Sequence, residues 1–303
     1  MNPYNCIIIL GPTASGKTRL AAHIAYVLKG AVLSFDSRQV YRQLNIGAGK
    51  DLEEFRIENS AIPYHLIDIC DLNDNFHSYE FVKNYISAFE SCQLNKQVPV
   101  LCGGTGLYFD LVLKQYQYIN IPNNESLRKE LTQFTDESLQ EKLKSFPAQD
   151  TNQADTSTRK RTIRAIEIAE YLSQNVPDKI QYPAIRPVIF GLNLSSSERR
   201  LRIDLRLAQR LQNGLIEEVK QLLDNGIPPD RLIYLGLEYK FITEYLLGKF
   251  DMATMITLLQ TAIHQYSKRQ MTWFRKMERE GNKIHWIDGK IPLEEQVKSV
   301  FNY

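Results

Sequence analysis

No run in the 303 residues approaches the roughly 18 consecutive apolar positions that a membrane-spanning helix needs. The start of the chain lacks a charged n-region, a long apolar core and a cleavage site, so it reads as a strand rather than a leader peptide. Cysteine is scarce. Cys6, Cys70, Cys92 and Cys102 form no C-x-x-C pair, and they are expected to be buried thiols of a reducing cytoplasm. Histidine offers no metal pattern: His65 and His264 have no ligand spacing and read as structural. Excess charge is also missing, since 37 Lys and Arg against 35 Asp and Glu leave only +2. That balance by itself gives no sign of nucleic acid. No internal repeat or low-complexity tract appears, which leaves no sign of a repeat array or a biased tail.

What is present is a hydrophobic content of 43%, normal for a sizeable core, in a length that suits two domains or one with an insertion. The strongest local signal is Cys6-Ile7-Ile8-Ile9-Leu10 followed by Gly11-Pro12-Thr13-Ala14-Ser15-Gly16-Lys17-Thr18. A short apolar strand running into G-x-x-x-x-G-K-[ST] is a phosphate-binding P-loop. Its glycines let backbone N–H groups converge on phosphate oxygens. Lys17 brings a mobile charge, and Thr18 offers a hydroxyl to a phosphate-bound Mg²⁺. A helix over Arg19 to Leu28 adds its N-terminal dipole.

Further strands are expected at Ala31–Phe35, Tyr64–Ile69, Val98–Cys102, Val188–Leu192 and Ile284–Ile287, with a helix over Ser78–Leu94. Alternating strands and helices imply a parallel sheet flanked by helices, a P-loop NTPase-like α/β fold. Residues 116–185 break this rhythm. Asn123–Ser145 and Ser157–Leu172 read as helical, polar and charged, and Gln174–Pro187 as a proline-bearing linker. The expected organisation is an α/β core of residues 1–115 and 186–303 interrupted by a small all-helical insertion.

Several groups carry chemistry. Asp36 ends the second strand, where ligands of open α/β sheets bind. It suits a base, a Mg²⁺ ligand or a helix N-cap. Gly103-Gly104-Thr105-Gly106-Leu107-Tyr108 is a second glycine turn on the same edge, suited to a close ligand approach or to a strand-to-helix turn. Arg202 and Arg206 share a helical face and suit a diphosphate, or else a solvated face paired with Asp204 or Glu198. Basic residues cluster at Arg159–Arg164, at Arg199–Arg210 and at Lys268–Lys276. In Lys268-Arg269-Gln270-Met271-Thr272-Trp273-Phe274-Arg275, cations alternate with aromatics. This suits phosphates and stacked bases, or an amphipathic helix with Trp273 in the core. Local patches, not net charge, decide polyanion binding.

In order and spacing these segments resemble the tRNA dimethylallyltransferase (tRNA isopentenyltransferase) family through nearly the whole chain. The blocks are Gly11–Thr18, Asp36–Tyr41, His65–Asp68, Gly103–Tyr108, Lys160–Glu167, Arg202 with Arg206, Gly214–Val219, Gly236–Lys240 and Lys268–Arg275. The resemblance implies transfer of a dimethylallyl group from dimethylallyl diphosphate to N6 of the adenine 3′ of the anticodon, in tRNAs reading codons that begin with U. It implies Asp36 as general base, with Thr105 and Arg206 at the diphosphate or the reacting centre. It further implies Gly11 to Thr18 as the diphosphate cradle and Thr18 near Mg²⁺. The implied tRNA contacts are Asp36, Ser37, Arg38, Gln39, Lys160, Arg161, Thr162, Ile163, Arg164, Gly236, Tyr239, Lys240 and the run Lys268 to Arg275. The insertion matches a domain that clamps the anticodon stem. The expected partners are a tRNA anticodon stem-loop and the prenyl donor, the expected state a monomer, and the expected place the cytoplasm.

Four residues depart from the family's pattern: Arg38 for an apolar residue, Asp51 for a proline, Glu238 for a small residue and Arg210 for a methionine. A carboxylate at Glu238, near RNA phosphate, is expected to repel it. Two other readings compete. A small-molecule P-loop kinase does not need the basic-aromatic segment, and an RNA-binding protein with a vestigial P-loop does not need Lys17, Thr18 and Asp36 intact. Prenylation of free adenine nucleotides does not need the insertion or the basic clusters.

Overall fold

The computed structural model describes residues 4–151 and 154–303. Apolar runs bounded by Gly, Pro and Asp become the strands β1 (Cys6–Leu10) and β2 (Ala31–Phe35), with helix α1 (Lys17–Leu28) between them. A two-stranded antiparallel hairpin follows, β3 (Arg56–Ile57) with β4 (Ser60–Ala61). Then come β5 (Tyr64–His65), α2 (Ser78–Leu94), β6 (Pro99–Gly103) and α3 (Gly106–Lys114). Further along lie β7 (Pro187–Asn193) and β8 (Ile284–Asp288). The main sheet has six strands in the order β5-β2-β6-β1-β7-β8, all parallel. Every residue of β2 and β6 is buried, as expected for strands covered on both faces.

The chain divides into two compact units, one of residues 1–113 with 183–303 and one of residues 114–182. In the first, β1 is central, with Ile8 opposite Leu101 of β6 on one side and Ile189 of β7 on the other. Its core joins Ile9, Leu20, Ile24, Val32, Val100, Phe190 and Leu192. The carboxy-terminal helices α8 (Ser196–Gln212), α9 (Leu215–Asp224), α10 (Pro229–Leu235), α11 (Leu237–Leu246) and α12 (Met252–Arg279) share a second core. Leu207, Val219, Leu235, Ile242 and Leu259 meet there. A last helix covers Leu293–Phe301.

The second unit holds α4 (Glu125–Leu131), α5 (Asp136–Lys144), α6 (Ala148–Thr151) and α7 (Arg159–Gln174). Leu127, Leu131, Leu139, Leu143 and Ile166 form its own core. Buried Glu167 organises it, accepting from Asn124 N at 2.8 Å and from both Arg128 Nε and Arg128 Nη2 at 2.8 Å. A carboxyl group this buried is tolerated because its oxygens are paired.

One expectation needs correction. The strand expected at Tyr64–Ile69 is regular only at Tyr64–His65, because Leu66 and Asp68 adopt positive φ of 66° and 56°. The chain turns there so that Asp68 meets Lys50. The helical segment expected across Asn123–Ser145 forms two helices, each N-capped by a polar side chain, Asn124 for α4 and Thr135 for α5.

Candidate functional site

At the carboxyl edge of the sheet the larger unit encloses a cavity of about 660 Å³. The P-loop forms one wall. Gly16 carries φ of 87° where the loop enters α1, a conformation that glycine adopts without strain. Ser15 N donates to Pro12 O at 3.3 Å, which closes the turn. Lys17 Nζ donates to Pro12 O at 3.3 Å. Burial pushes the Lys17 ammonium below its usual value, and the nearby Asp36 carboxylate acts the other way. Ser15 Oγ is buried with no hydrogen-bond partner among the described residues. Such a hydroxyl, beside converging backbone amides, fits an arriving phosphate oxygen.

Across the cavity, Asp36 follows β2. It is not a helix cap. Its Oδ1 accepts from Arg38 N at 2.8 Å, an Asx turn that holds the carboxylate at the strand end. Ser37 N donates to Thr105 Oγ1 at 3.3 Å, and Thr105 N to Phe35 O at 3.2 Å. The two sequence-distant turns carrying Asp36 and Thr105 are thus joined directly. The phenol of Tyr266, on α12, is pushed up by burial and further by the Asp36 carboxylate.

Arg206 also enters the cavity. Its Nη1 lies 3.5 Å from Thr13 Oγ1 in the P-loop, and its Nη2 pairs with Asp51. Arg202 behaves differently. It donates to Glu198 Oε1 at 2.9 Å and to Gly289 O at 3.1 Å, so it ties α8 to the turn after β8. Asp204 pairs with His264 at 2.7 Å. Both arginines line the cavity, but Arg202 is engaged by Glu198 and Gly289, whereas Arg206 reaches the P-loop at Thr13.

Two supporting residues, Glu218 and Lys50, carry no local signal of their role. Glu218 of α9 accepts from the backbone N–H groups of Asn45, Ile46 and Gly47 at 3.2, 2.7 and 3.1 Å. It also accepts from Tyr239 Oη at 2.7 Å, and Tyr239 Oη in turn accepts from Ala48 N at 3.1 Å. Lys50 is buried and donates to Tyr41 O at 2.8 Å while pairing with Asp68. Together these fix the loop that brings Gly49 and Asp51 to the cavity. Only the block Gly214–Val219 hints at Glu218, because its partner Ile46 lies 172 residues away.

The structure corrects part of the expected nucleic-acid surface. In α12, Gln270, Met271 and Phe274 are buried. Gln270 accepts from Thr13 N at 2.8 Å and donates to Gly104 O at 3.0 Å, so it bolts the helix to the P-loop and to the glycine turn. Trp273 packs against Gly106, where an added Cβ would overlap the indole. Lys268, Thr272 and Arg275 remain on the outer face, and the exposed Arg269 lines the cavity. Tyr239 is buried with its hydroxyl satisfied, so it supports loop 45–48 and does not face a ligand. In the helical unit Thr162 and Ile163 are buried, and Arg164 is occupied by Ile121 O at 2.6 Å and by Glu167. Lys160 and Arg161 are exposed. The repulsion expected from Glu238 is not set against open solvent. Glu238 lies largely buried, 3.7 Å from Arg210, and burial raises its carboxyl above the usual value while Arg210 opposes this.

Known proteins match this chain closely. The IPP transferase family model matches residues 39–277, and the isopentenyl transferase model residues 4–60. A Bacteroides fragilis protein called tRNA dimethylallyltransferase 2 is 47% identical over 300 residues, covering 99% of this chain and 98% of its own. A Parabacteroides distasonis protein called tRNA dimethylallyltransferase 1 is 44% identical over 98% of this chain and 96% of its own. Among solved structures, the full-length tRNA isopentenylpyrophosphate transferase of Bacillus halodurans superposes with a TM-score of 0.71 at 31% identity, covering 99% and 95% of the two chains. A eukaryotic dimethylallyltransferase acting on tRNA shares the fold, with a TM-score of 0.74 at 22% identity over 94% of this chain and 73% of its own. The chain belongs to the IPP transferase family, that of the tRNA dimethylallyltransferases.

Proposed function

We propose that this protein transfers a dimethylallyl group from dimethylallyl diphosphate to N6 of the adenine 3′-adjacent to the anticodon, in tRNAs reading codons that begin with U. The observation that carries this reading is the convergence of Asp36, Arg206 and the P-loop on one cavity at the carboxyl edge of the sheet, with Thr105 bonded to Ser37 beside Asp36. Asp36 takes a proton from the adenine amine as N6 attacks the C1 carbon of the donor. The C1–oxygen bond breaks, and the diphosphate leaves with both electrons. P-loop amides, Lys17 and Arg206 stabilise that charge as it develops. Thr105 holds the Asp36 turn through the bond that its hydroxyl accepts from Ser37 N.

Thr18 and the unpartnered Ser15 hydroxyl fit a diphosphate-bound Mg²⁺ held chiefly by phosphate oxygens and water. Among the described residues no cluster of three or more His, Cys, Asp or Glu could hold a metal by itself. When bound, Mg²⁺ neutralises charge on the leaving group. The base must leave its stack to reach Asp36, which an anticodon loop allows. Lys160, Lys268 and Arg275 are exposed cations suited to tRNA phosphates, Arg269 is exposed at the cavity, and Arg161 would exchange its pair with Asp155 for a phosphate. Arg38, Gln39, Gly236 and Lys240 line the cavity and suit the nucleotides near the target base. The protein acts as a monomer in the cytoplasm, and no helix among the described residues is long and apolar enough to cross a membrane.

The test incubates the protein with Mg²⁺, labelled dimethylallyl diphosphate and unmodified tRNA. Label entering the tRNA supports the reading. Label absent there, with phosphate passing from ATP to a small acceptor in the matched control, would place the protein among the kinases.

A further inference from the structure

Two of the residues that depart from the family's pattern, Arg210 and Glu238, face each other, and a third, Asp51, stands beside them. Arg210 lies one helical turn after Arg206 on α8, so both guanidiniums point from the same helix face into the cavity. Its ion pairs are loose. Nη1 is 3.7 Å from Glu238 Oε1, and Nη2 is 3.9 Å from Asp51 Oδ1. Nη2 is buried and makes no hydrogen bond among the described residues. A buried guanidinium donor left unused is rare, because leaving it unmade carries a desolvation penalty. The loop opposite is shaped around this group. Gly49 has φ of 61°, and a Cβ there would overlap Arg210 Nη2 and crowd Arg206 Nη2 at 2.8 Å. The backbone therefore leaves room for two guanidiniums side by side, next to Thr13 and Lys17.

We propose that Arg210 is a second guanidinium of the diphosphate site, donating through its unpartnered Nη2 to the terminal phosphate of the prenyl donor alongside Arg206. Arginine suits this position because its fork makes two directed hydrogen bonds to one phosphate, which a methionine cannot do. Asp51 pairs with both guanidiniums and Glu238 with Arg210, so their mutual repulsion is offset. The inference rests on the reading of the P-loop as a diphosphate cradle.

The test measures binding of inorganic pyrophosphate with Mg²⁺ to the full chain by calorimetry. The proteins are the wild type, Lys17→Ala, Arg210→Met, Glu238→Gly and the double variant that combines the last two. Wild type binds, and Lys17→Ala weakens it. Wild-type binding that is absent or insensitive to Lys17→Ala overturns the cradle reading, and the proposal with it. The proposal itself expects Arg210→Met to weaken pyrophosphate by about tenfold or more, the usual size for a lost charge-assisted contact. The loss must appear both with Glu238 present and in the Glu238→Gly background. Equal binding by Glu238→Gly and the double variant would mean that Arg210 only neutralises Glu238, and would overturn the proposal. Turnover gives a second readout: KM for the donor rises while KM for tRNA is unchanged. Should Arg210→Met not fold, Arg210→Lys keeps the charge and loses the fork. Weakened binding by that variant at an unchanged melting temperature supports the proposal, and wild-type binding overturns it.

Discussion

Asp36 reaches its working position through contacts that use almost none of its acceptor capacity. One oxygen takes Arg38 N, and the rest of the carboxylate is left to the cavity. Asp36→Asn keeps this turn but cannot take a proton. Single-turnover transfer should fall about 10²- to 10⁴-fold, the range for a lost general base, while tRNA affinity measured by filter binding stays unchanged. Normal turnover by this variant would remove Asp36 from the chemistry. Glu238 allows a prediction about pH. Its folded-state pKa is raised, so its protonated form is favoured in the native state. A stability cost therefore grows as pH rises above the usual carboxylate value and is complete above the folded pKa. Glu238→Gln should raise the melting temperature near neutral pH, and the gain should fade as the buffer is acidified toward the usual carboxylate range. A gain that grows on acidification would contradict the burial argument.

The elements divide into those that announce themselves locally and those that do not. β1 with its P-loop, β6 with its glycine turn, and the strand returning at Pro187–Asn193 follow from apolar runs and turn residues a few positions apart. Asp36 and Thr105 are legible for the same reason, since each follows a strand on the ligand-binding edge. Gln270 is not legible. Its partners lie 257 and 166 residues away, and nothing in a basic-aromatic run marks which glutamine faces inward. The pattern of α12 is clear only from the fold. Ile263, Ser267, Gln270, Met271 and Phe274 recur at helical spacing on the buried face, which leaves Lys268, Arg269, Thr272 and Arg275 exposed. The outward residues carry the element's prediction. Lys268→Ala with Arg275→Ala should weaken tRNA binding without altering donor KM. The slope of log affinity against log salt should shrink by about 1 to 2, as expected for two lost phosphate contacts. An unchanged slope would take α12 out of the RNA interface.

At the scale of the whole molecule, the two units keep separate cores, so neither needs the other's apolar residues to fold. All four cysteines belong to the larger unit and all are buried. Burial pushes Cys6, Cys70 and Cys102 up to about 12 and Cys92 to about 11. Thiolate, the reactive form, is therefore nearly absent at neutral pH. Native protein at pH 8 should leave Ellman's reagent almost colourless, while protein unfolded in guanidinium should release colour from four thiols. Rapid labelling of the native form would show that the sheet opens far more readily than its packing implies.

The central place of β1 bears on how this chain is made. The strand sits between β6 and β7, yet its second neighbour begins only at Pro187. At the roughly 5–20 residues per second of protein synthesis, about 4 to 17 seconds separate the end of β6 from the start of β7. During that interval the growing chain holds a hydrophobic strand with one edge unpaired, the kind of surface that chaperones recognise and that aggregates in their absence. The helices of residues 114–182, joined by local contacts, can close while the ribosome is still supplying the last two strands of the sheet.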